Sequence, residues 1–393
     1  MNPRLHFAFL NVGHFIDHLL PLVFATAAAL ALTREWGMSY AQLIPYATPA
    51  LVVFGLGALP AGWLADRWSR EKMMVIFFFG IGASAMATAL ADTPLTMALG
   101  LFAIGVFGSI YHPVGLAMVI QGRSRTGIPL AINGMFGNLG VACAALFTSL
   151  LIGVSGWRAA FVWPGAIAVL LGVVYLTCLR YAQRGAVPNS EGNGVAKNLP
   201  AFTREMLIRV LIVVFVSTAL GGLIFQSTTF ALPKVIDERL TVSVTGVGWY
   251  VFSIFALASL GQLVVGYLVD RLPLKGVFLV VAAGQCLFAL VLVGSSGIST
   301  VFASVAFMLV VFAQIPINDV LIGRFTSSEW RSRALAARYI ITFSVSATAI
   351  PMIAWTHNNW GFDAFFLILA GVAITVFGFV YLLPRVEALQ KTS

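Results

Sequence analysis

Charged residues are scarce in this chain: Asp, Glu, Lys and Arg together make up only 9% of its 393 residues. A soluble domain has about a quarter of its residues charged, so a soluble fold is excluded. Hydrophobic residues make up 60% of the chain. A chain of this composition is dissolved in lipid, where each backbone polar group has to be hydrogen-bonded inside a helix.

Cysteine, nucleotide-binding motifs and catalytic constellations are also rare or absent. The three cysteines have no metal-binding spacing, which predicts buried, unreactive thiols. No Gly-x-x-x-x-Gly-Lys-Ser/Thr motif occurs, so an ion gradient is the expected energy source. No loop is large enough for a soluble enzyme domain, and no serine lies near a histidine in a recognisable pattern. We therefore expect no enzymatic activity, no cofactor and no bound metal.

Long apolar runs fill most of the sequence. About 20 residues cross the hydrocarbon core of a bilayer, and twelve such stretches occur. The first carries the polar residues His14 and Asp17 and is expected to be kept as a span, not removed as a signal peptide. We place the twelve spans at 7–32, 40–65, 72–91, 95–121, 127–153, 158–181, 206–232, 243–269, 276–294, 298–322, 333–356 and 361–383.

The net charge of +9 has a simple topological origin. With an even number of spans, both termini lie on one side, and that side collects 19 of the 23 Lys and Arg residues. The positive-inside rule then places both termini in the cytoplasm. The basic charge therefore predicts orientation in a bacterial inner membrane and no binding of nucleic acid.

Two short patterns occur twice. The sequence Gly62-Trp63-Leu64-Ala65-Asp66-Arg67 returns as Gly266-Tyr267-Leu268-Val269-Asp270-Arg271, 204 residues later. The sequence that begins Gly156-Trp157-Arg158 returns at Gly361-Phe362-Asp363 with nearly the same offset. Two landmarks at one offset indicate a half-structure that is repeated, an architecture typical of membrane transporters whose site lies between the repeats.

The repeat sets the expected domains. We predict an all-α integral membrane protein whose twelve transmembrane helices form two pseudo-symmetric six-helix bundles. The bundles are placed at 1–181 and 206–393. Between them, residues 182–205 are polar and rich in Gly and Pro, which predicts a flexible cytoplasmic linker.

The first repeated pattern resembles the loop motif between spans two and three of the major facilitator superfamily, and the resemblance extends over the whole chain. Ser69 stands where that family usually has Gly. The resemblance implies alternating access and a role for the motif in stabilising the outward-open state; the alternative is a pair of charges that only anchors a helix end. The residues assigned to this gating motif are Gly62, Asp66, Arg67, Arg70, Gly266, Asp270 and Arg271.

A narrower resemblance involves the first and fourth spans. Gly13-His14-Phe15 and Tyr111-His112-Pro113 are similar to motifs of the fosmidomycin-resistance-type drug exporters. That branch has an acid directly after the proline, where this chain has Val114. A proton-carrying role at this position is therefore not transferred from the branch.

Among the fourteen acidic residues, Asp17 alone lies deep in a predicted span. A charge at the bilayer centre costs at least ~2.5–3.5 kcal/mol, so it marks a functional site. At 1.5 Å per residue, Asp17 and His112 lie roughly 15 and 14 Å from the cytoplasmic side, and His14 shares the Asp17 helix face. We hypothesise that Asp17, His112 and His14 carry the coupled proton; the alternative is a static hydrogen-bonded pair.

Three histidines and one acid also suit a transition metal, with His14 and His18 at i, i+4. Because no dense ligand motif is present, we regard metal transport as the weaker alternative. The other polar residues inside spans are candidates for substrate binding. Arg338 either binds an anionic substrate or pairs with Asp319, the pairing being favoured. These substrate-binding candidates are Tyr111, His18, Asn133, Asn138, Gln226, Gln314, Asn318 and Arg338.

Together these features predict a monomeric secondary transporter of the inner membrane. The expected function is proton-coupled export of a small organic compound or drug by alternating access. The alternatives are proton-linked uptake of a small organic anion and, less favoured, transport of a transition metal or metal chelate. The expected partners are the substrate, protons and the lipid bilayer.

Overall fold

The computed structural model describes residues 1–123, 127–183, 204–325 and 341–384, and all regular secondary structure in these ranges is helical. The predicted linker lies almost entirely outside them. The described residues before 326 form ten long helices. They are α1 (Pro3–Glu35), α2 (Tyr40–Arg67), α3 (Arg70–Thr88), α4 (Pro94–Ile120), α5 (Gly127–Ser155), α6 (Trp157–Gln183), α7 (Arg204–Arg239), α8 (Val244–Val269), α9 (Leu274–Leu292) and α10 (Ile298–Phe325).

The last helical stretch, Ile341–Tyr381, contains two spans. Its 41 residues give a length of roughly 60 Å at 1.5 Å per residue, twice the thickness of a hydrocarbon core. Gly361 interrupts it with φ 74° and ψ −170°, a conformation that L side chains avoid. We therefore number its parts α11 (341–360) and α12 (361–381). The described residues thus hold eleven helices long and apolar enough to cross a membrane, and Gly361 divides the last of them into two parts that correspond to the last two of the twelve predicted spans. Residues 333–340 of the predicted eleventh span lie outside the described residues.

The helices pack as two compact units. The first holds α1 to α6 together with the start of α8, Ser243–Phe252, and the second holds α7, α8 from Ser253 onward, and α9 to α12. In the first unit α1 packs on α5, and α3 on α6 and α4. In the second, α7 and α9 pack against the 341–381 stretch, and α9 packs on α10. The contact of the third helix with the fourth in the first unit, and of the ninth with the tenth in the second, agrees with the sequence repeat.

Glycines allow the closest helix contacts in the first unit. A Cβ at Gly140 of α5 would lie 2.2 Å from the carbonyl oxygen of Phe15 of α1. Gly82 of α3 and Gly165 of α6 face each other, because a Cβ on either would lie within 2.8 Å of the other's carbonyl oxygen. Lipid provides no hydrophobic force to join helices, so such backbone proximity supplies the van der Waals attraction that holds them together.

The three cysteines differ from expectation. Cys143, Cys178 and Cys286 are free thiols, but each is half-buried and not buried. Each lies on a side of its helix that neighbouring helices cover only in part, so the prediction of full burial was wrong.

An arginine joins three elements at one end of the first unit. Arg158, at the start of α6, donates to Glu35 at the end of α1 (3.0 Å) and to Asp92 in the α3–α4 turn (2.9 Å). Trp157 donates its indole N–H to the other Glu35 oxygen at 2.6 Å. We call this set the Arg158 brace. Gly156, which precedes it, has φ 82°, and this positive φ explains the glycine of the repeated motif.

The second unit has a matching brace in which an acidic residue takes the position of the arginine. Asp363, the counterpart of Arg158, accepts from Arg239 at the end of α7 (2.7 Å) and from the backbone N–H of Gly294 in the α9–α10 turn (2.9 Å). Arg239 also donates to the Leu292 carbonyl and the Ser295 hydroxyl at 2.6 and 2.8 Å. We call this set the Arg239 brace. The two units therefore tie the same three elements together with charges exchanged.

The two braces differ in burial, and this difference generates a stability prediction. The Arg239 side chain is 11% exposed, whereas that of Arg158 is 43% exposed. We expect Arg239→Gln to lower the free energy of unfolding by about 1–3 kcal/mol, because the carbonyl of the buried Leu292 loses a charged donor. Arg158→Gln should cost about 1 kcal/mol or less, because water screens that ion pair. Thermal unfolding of the two purified variants in detergent, followed by tryptophan fluorescence, compares them; equal losses would contradict this ranking.

Candidate functional site

A distortion in α4 presents two aromatic residues to the interior of the first unit. Residues Tyr111–Gly115 form a π-helical turn that contains Pro113. Proline has no N–H to donate to a carbonyl of the preceding turn. In a π-helical turn the backbone hydrogen bonds join residues five positions apart instead of four. Single π-helical turns inside α-helices occur often at functional sites. Here the turn places Tyr111 and His112 side by side, directed at α1.

Asp17 of α1 meets this turn. Its carboxylate is fully buried, and Oδ2 lies 3.4 Å from Nε2 of His112. Within the described residues neither carboxylate oxygen accepts a hydrogen bond, and no Lys or Arg forms an ion pair with it. Asp17 and His112, which were predicted to lie at the same depth in the membrane, therefore lie next to each other. An ionised carboxylate in this position has little to compensate its lost hydration.

A hydrogen bond to α5 fixes the imidazole ring of His14. Its Nδ1 lies 2.8 Å from the carbonyl oxygen of Asn133 on α5. A carbonyl only accepts, so Nδ1 carries the proton and Nε2 presents a lone pair. Nε2 of His18 lies 3.2 Å from that lone pair, and the His14 ring stacks on Tyr111 with centroids 4.8 Å apart. The tautomer and orientation of His14 are thereby set.

Two predicted substrate contacts bond to the helix bundle itself. The Tyr111 hydroxyl donates to the Leu10 carbonyl at 2.6 Å, and the Asn133 amide donates to Tyr111 at 2.9 Å and to Asn11 at 3.0 Å. These side chains join α1, α4 and α5 beneath the histidines. Sequence reasoning missed Asn11, although it precedes His14 by three residues and shares its helix face. Substrate binding by Tyr111 and Asn133 stays a prediction.

The histidines also have the composition of a metal centre. The ligand nitrogens of His14, His18 and His112 all lie within 4.8 Å of one another, and Asp17 adjoins His112. Imidazole and carboxylate together suit Zn, Ni or Fe. These are the described residues that could hold a transition metal, and the expectation of a metal-free protein stays a prediction.

The second unit carries a polar network without titratable groups. Gln314 of α10 donates to the Ser217 carbonyl of α7 and accepts from Gln285 of α9, both at 2.7 Å. The Ser217 hydroxyl donates to Asn318 at 3.2 Å. All four residues are buried. Gln314 and Asn318 were predicted, whereas Ser217 and Gln285 were missed because their spans offered no charged neighbour as a signal.

The remaining predicted residues lie apart from these clusters. Asn138 of α5 is buried, and within the described residues its amide nitrogen has no hydrogen-bond acceptor. Gln226 of α7 is half-buried, nine residues beyond Ser217. Arg338 lies outside the described residues, and so does the side chain of its proposed partner, Asp319.

In both copies of the repeated gating motif, near the ends of α2 and α8, an arginine stacks on an aromatic ring. The Arg67 guanidinium lies 4.4 Å from the Trp63 ring, and that of Arg271 lies 3.9 Å from the Tyr267 ring. In the first copy Asp66 pairs with Arg70 at 2.8 Å, and Gly62 packs near Pro113 of α4. In the second copy, Gly266 has open space around it and Asp270 lies in the turn after α8. The gating role of the seven residues stays a prediction.

Two glycines of α5 provide a matched test of the site's packing. A Cβ at Gly137 would lie 2.8 Å from Cε1 and Nε2 of His14, whereas one at Gly134 would meet nothing within 4 Å. We expect Gly137→Ala to displace the imidazole, to cost about 1–3 kcal/mol of stability as other overpacked cores do, and to reduce transport. Gly134→Ala should leave both unchanged. Thermal unfolding and transport assays of the two variants decide, and equal behaviour would show that His14 is not tightly enclosed.

Comparison with known proteins identifies the family. The family model described as Major Facilitator Superfamily matches residues 10–238 and 214–393. The 4-hydroxybenzoate transporter PcaK of Pseudomonas aeruginosa is 29% identical over 167 residues, which are 42% of this chain and 37% of that protein. A Na(+), Li(+), K(+)/H(+) antiporter of Planococcus maritimus is 25% identical over 390 residues, 90% of this chain and 89% of that protein.

A solved structure agrees on the fold. The D-xylose–proton symporter superposes with a TM-score of 0.74 at 12% identity, covering 96% of this chain and 97% of its own. The narrower resemblance to fosmidomycin-resistance-type exporters stays a prediction. The family match, the twelve helices and the repeated motif agree, and the chain therefore belongs to the major facilitator superfamily of secondary transporters.

Proposed function

We propose that this protein is a proton-coupled transporter of small organic anions and that Asp17 binds the coupled proton. The observation that carries the proposal is the buried Asp17 carboxyl, 3.4 Å from His112 and without a Lys or Arg partner among the described residues. A lone carboxylate in this environment is stable only when a proton or cation neutralises it. Protonation and release in step with the conformational change would couple transport to the gradient.

The substrate class rests on a relative and on the second unit. The Pseudomonas relative is named as a transporter of 4-hydroxybenzoate, a small aromatic carboxylate, and its alignment covers 37% of its length. In the second unit, the buried amides of Gln314 and Asn318 offer neutral hydrogen-bonding groups, which orient a polar substrate without fixing its charge. We take 4-hydroxybenzoate as the first substrate to test.

Proton-coupled export is the second candidate. The Planococcus relative, which aligns over 90% of this chain, is named as an antiporter. An antiporter with the same Asp17 site would exchange a proton for an outward-moving organic compound or drug. A substrate shifts the conformational equilibrium only by its differential affinity for the two states, so both modes require the same two-state cycle.

The proposal includes an orientation and a gate. The excess of Lys and Arg on one face supports cytoplasmic termini in a bacterial inner membrane, and a monomer suffices because each chain holds both repeats. In this proposal the two copies of the gating motif, at the ends of α2 and α8, stabilise one state of the cycle.

Replacing Asp17 tests the coupling. Asn keeps the size of the side chain but takes up no proton, so Asp17→Asn should reduce gradient-driven uptake of 4-hydroxybenzoate into proteoliposomes to the level of protein-free liposomes. Exchange of labelled for unlabelled substrate without a gradient should continue. The control is Glu71→Gln, a change in the first turn of α3, where the Glu71 carboxylate accepts a hydrogen bond from the Ser69 hydroxyl. Undiminished uphill transport by Asp17→Asn would refute the assignment.

The sign of the gradient separates the two candidates. A symporter accumulates 4-hydroxybenzoate when the outside of the proteoliposome is acidic, because protons and substrate enter together. An antiporter accumulates it when the inside is acidic, because protons leave as substrate enters. We expect accumulation with an acidic exterior; accumulation only with an acidic interior would establish antiport and favour export.

A further inference from the structure

We propose that His14, His18 and His112, with Asp17 as a fourth ligand, form a binding site for a divalent transition-metal ion such as Zn²⁺ or Co²⁺. The site lies within the first unit, between α1 and the π-helical turn of α4. This inference goes beyond proton-coupled transport of an organic anion and does not depend on it.

Two distances in the cluster are close to the edge length of a tetrahedral metal site. With metal–ligand distances of about 2.0–2.2 Å, two ligand atoms of a tetrahedron are about 3.3–3.6 Å apart. Nε2 of His14 and Nε2 of His18 are 3.2 Å apart, and Nε2 of His112 and Oδ2 of Asp17 are 3.4 Å apart. Each pair is thus within about 0.1 Å of the spacing that one metal ion requires. The ligand nitrogens of the three histidines lie within 4.8 Å of one another, so a small inward movement of one pair joins the two edges.

The protonation of His14 fits a metal ligand. Its Nδ1 proton is given to the Asn133 carbonyl at 2.8 Å, which leaves the Nε2 lone pair facing His18 and His112. Metal-binding histidines almost always donate their second ring N–H to a carbonyl or carboxylate in this way. The imidazole of His14 is held in place by two neighbours. The Tyr111 ring stacks on it, and Gly137 lies close to its Cε1 and Nε2 atoms.

The Asp17 carboxyl gives the second independent indication. Within the described residues its two buried oxygens accept no hydrogen bond, which is costly unless another group supplies the interaction. A bound dication satisfies both the charge and the lone pairs. Because the ligands come from two helices, bound metal would fix α1 to α4, and we expect it to inhibit transport.

The test is a Co²⁺ titration of the whole protein in detergent, purified without a polyhistidine tag and without substrate or gradient. Tetrahedral Co²⁺ absorbs visible light far more intensely than the octahedral aqueous ion, so we expect a strong band that saturates at one Co²⁺ per chain and is abolished by Zn²⁺. His14→Gln and His18→Gln should each remove the band. The chain's other two histidines supply matched controls, and His6→Gln and His357→Gln should retain it.

The outcomes separate this inference from the proposed function. Absence of the tetrahedral band in the wild-type protein, or its persistence in both His14→Gln and His18→Gln, overturns the metal site whatever the transport assays show. Conversely, proton coupling that fails the Asp17→Asn test leaves the equilibrium titration unaffected. Size-exclusion profiles identify any variant that misfolds, and the half-buried His18 is the safer of the two to replace.

Discussion

A buried carboxyl group between α1 and α4 is the constraint on which the site in the first unit depends. An ionised side chain at the centre of a bilayer costs at least ~2.5–3.5 kcal/mol, and Asp17 has no Lys or Arg partner among the described residues. The surroundings are shaped around it: Gly108 leaves space beside Oδ1, and the π-helical turn brings His112 to Oδ2. An ionised Asp17 would therefore lack a compensating charge among the described residues, which is why we propose that a proton or cation neutralises it.

The two units repeat the fold without repeating the chemistry. Both use an N-terminal glycine of positive φ to start their last helix, and both tie three elements together at that point. Yet the central residue is Arg158 in one unit and Asp363 in the other, so the repeat preserves a position and not the sign of a charge. The same holds inside, among the described side chains: imidazoles and a carboxyl group are buried in the first unit, and neutral amides such as that of Gln314 are buried in the second. This division of chemistry is consistent with a proton site in the first unit and neutral substrate contacts in the second.

The sequence predicted those features that depend on spacing along one helix. Twelve spans follow from length and apolarity, the split at Gly361 follows from the repeat, and the common depth of Asp17 and His112 follows from the rise per residue. Features that depend on the rotation of neighbouring helices were not predictable. Periodicity does not show that Gly137 touches His14 while Gly134 touches nothing, nor that Gln285 of α9 reaches Gln314. Both contacts depend on which faces of two helices meet.

The cluster contains two kinds of contact that respond differently to motion. His14 and His18 are four residues apart on α1, so their 3.2 Å contact does not depend on the position of α1 relative to another helix. The 3.4 Å contact between Asp17 and His112 joins two helices, and it changes whenever α4 moves against α1. The π-helical turn lies at this contact, where a helix has two alternative hydrogen-bonding patterns available. Coupling conformation to ion binding requires an element with two arrangements next to the ion site, and we propose that the π-helical turn of α4, which adjoins the buried carboxyl group of Asp17, is that element.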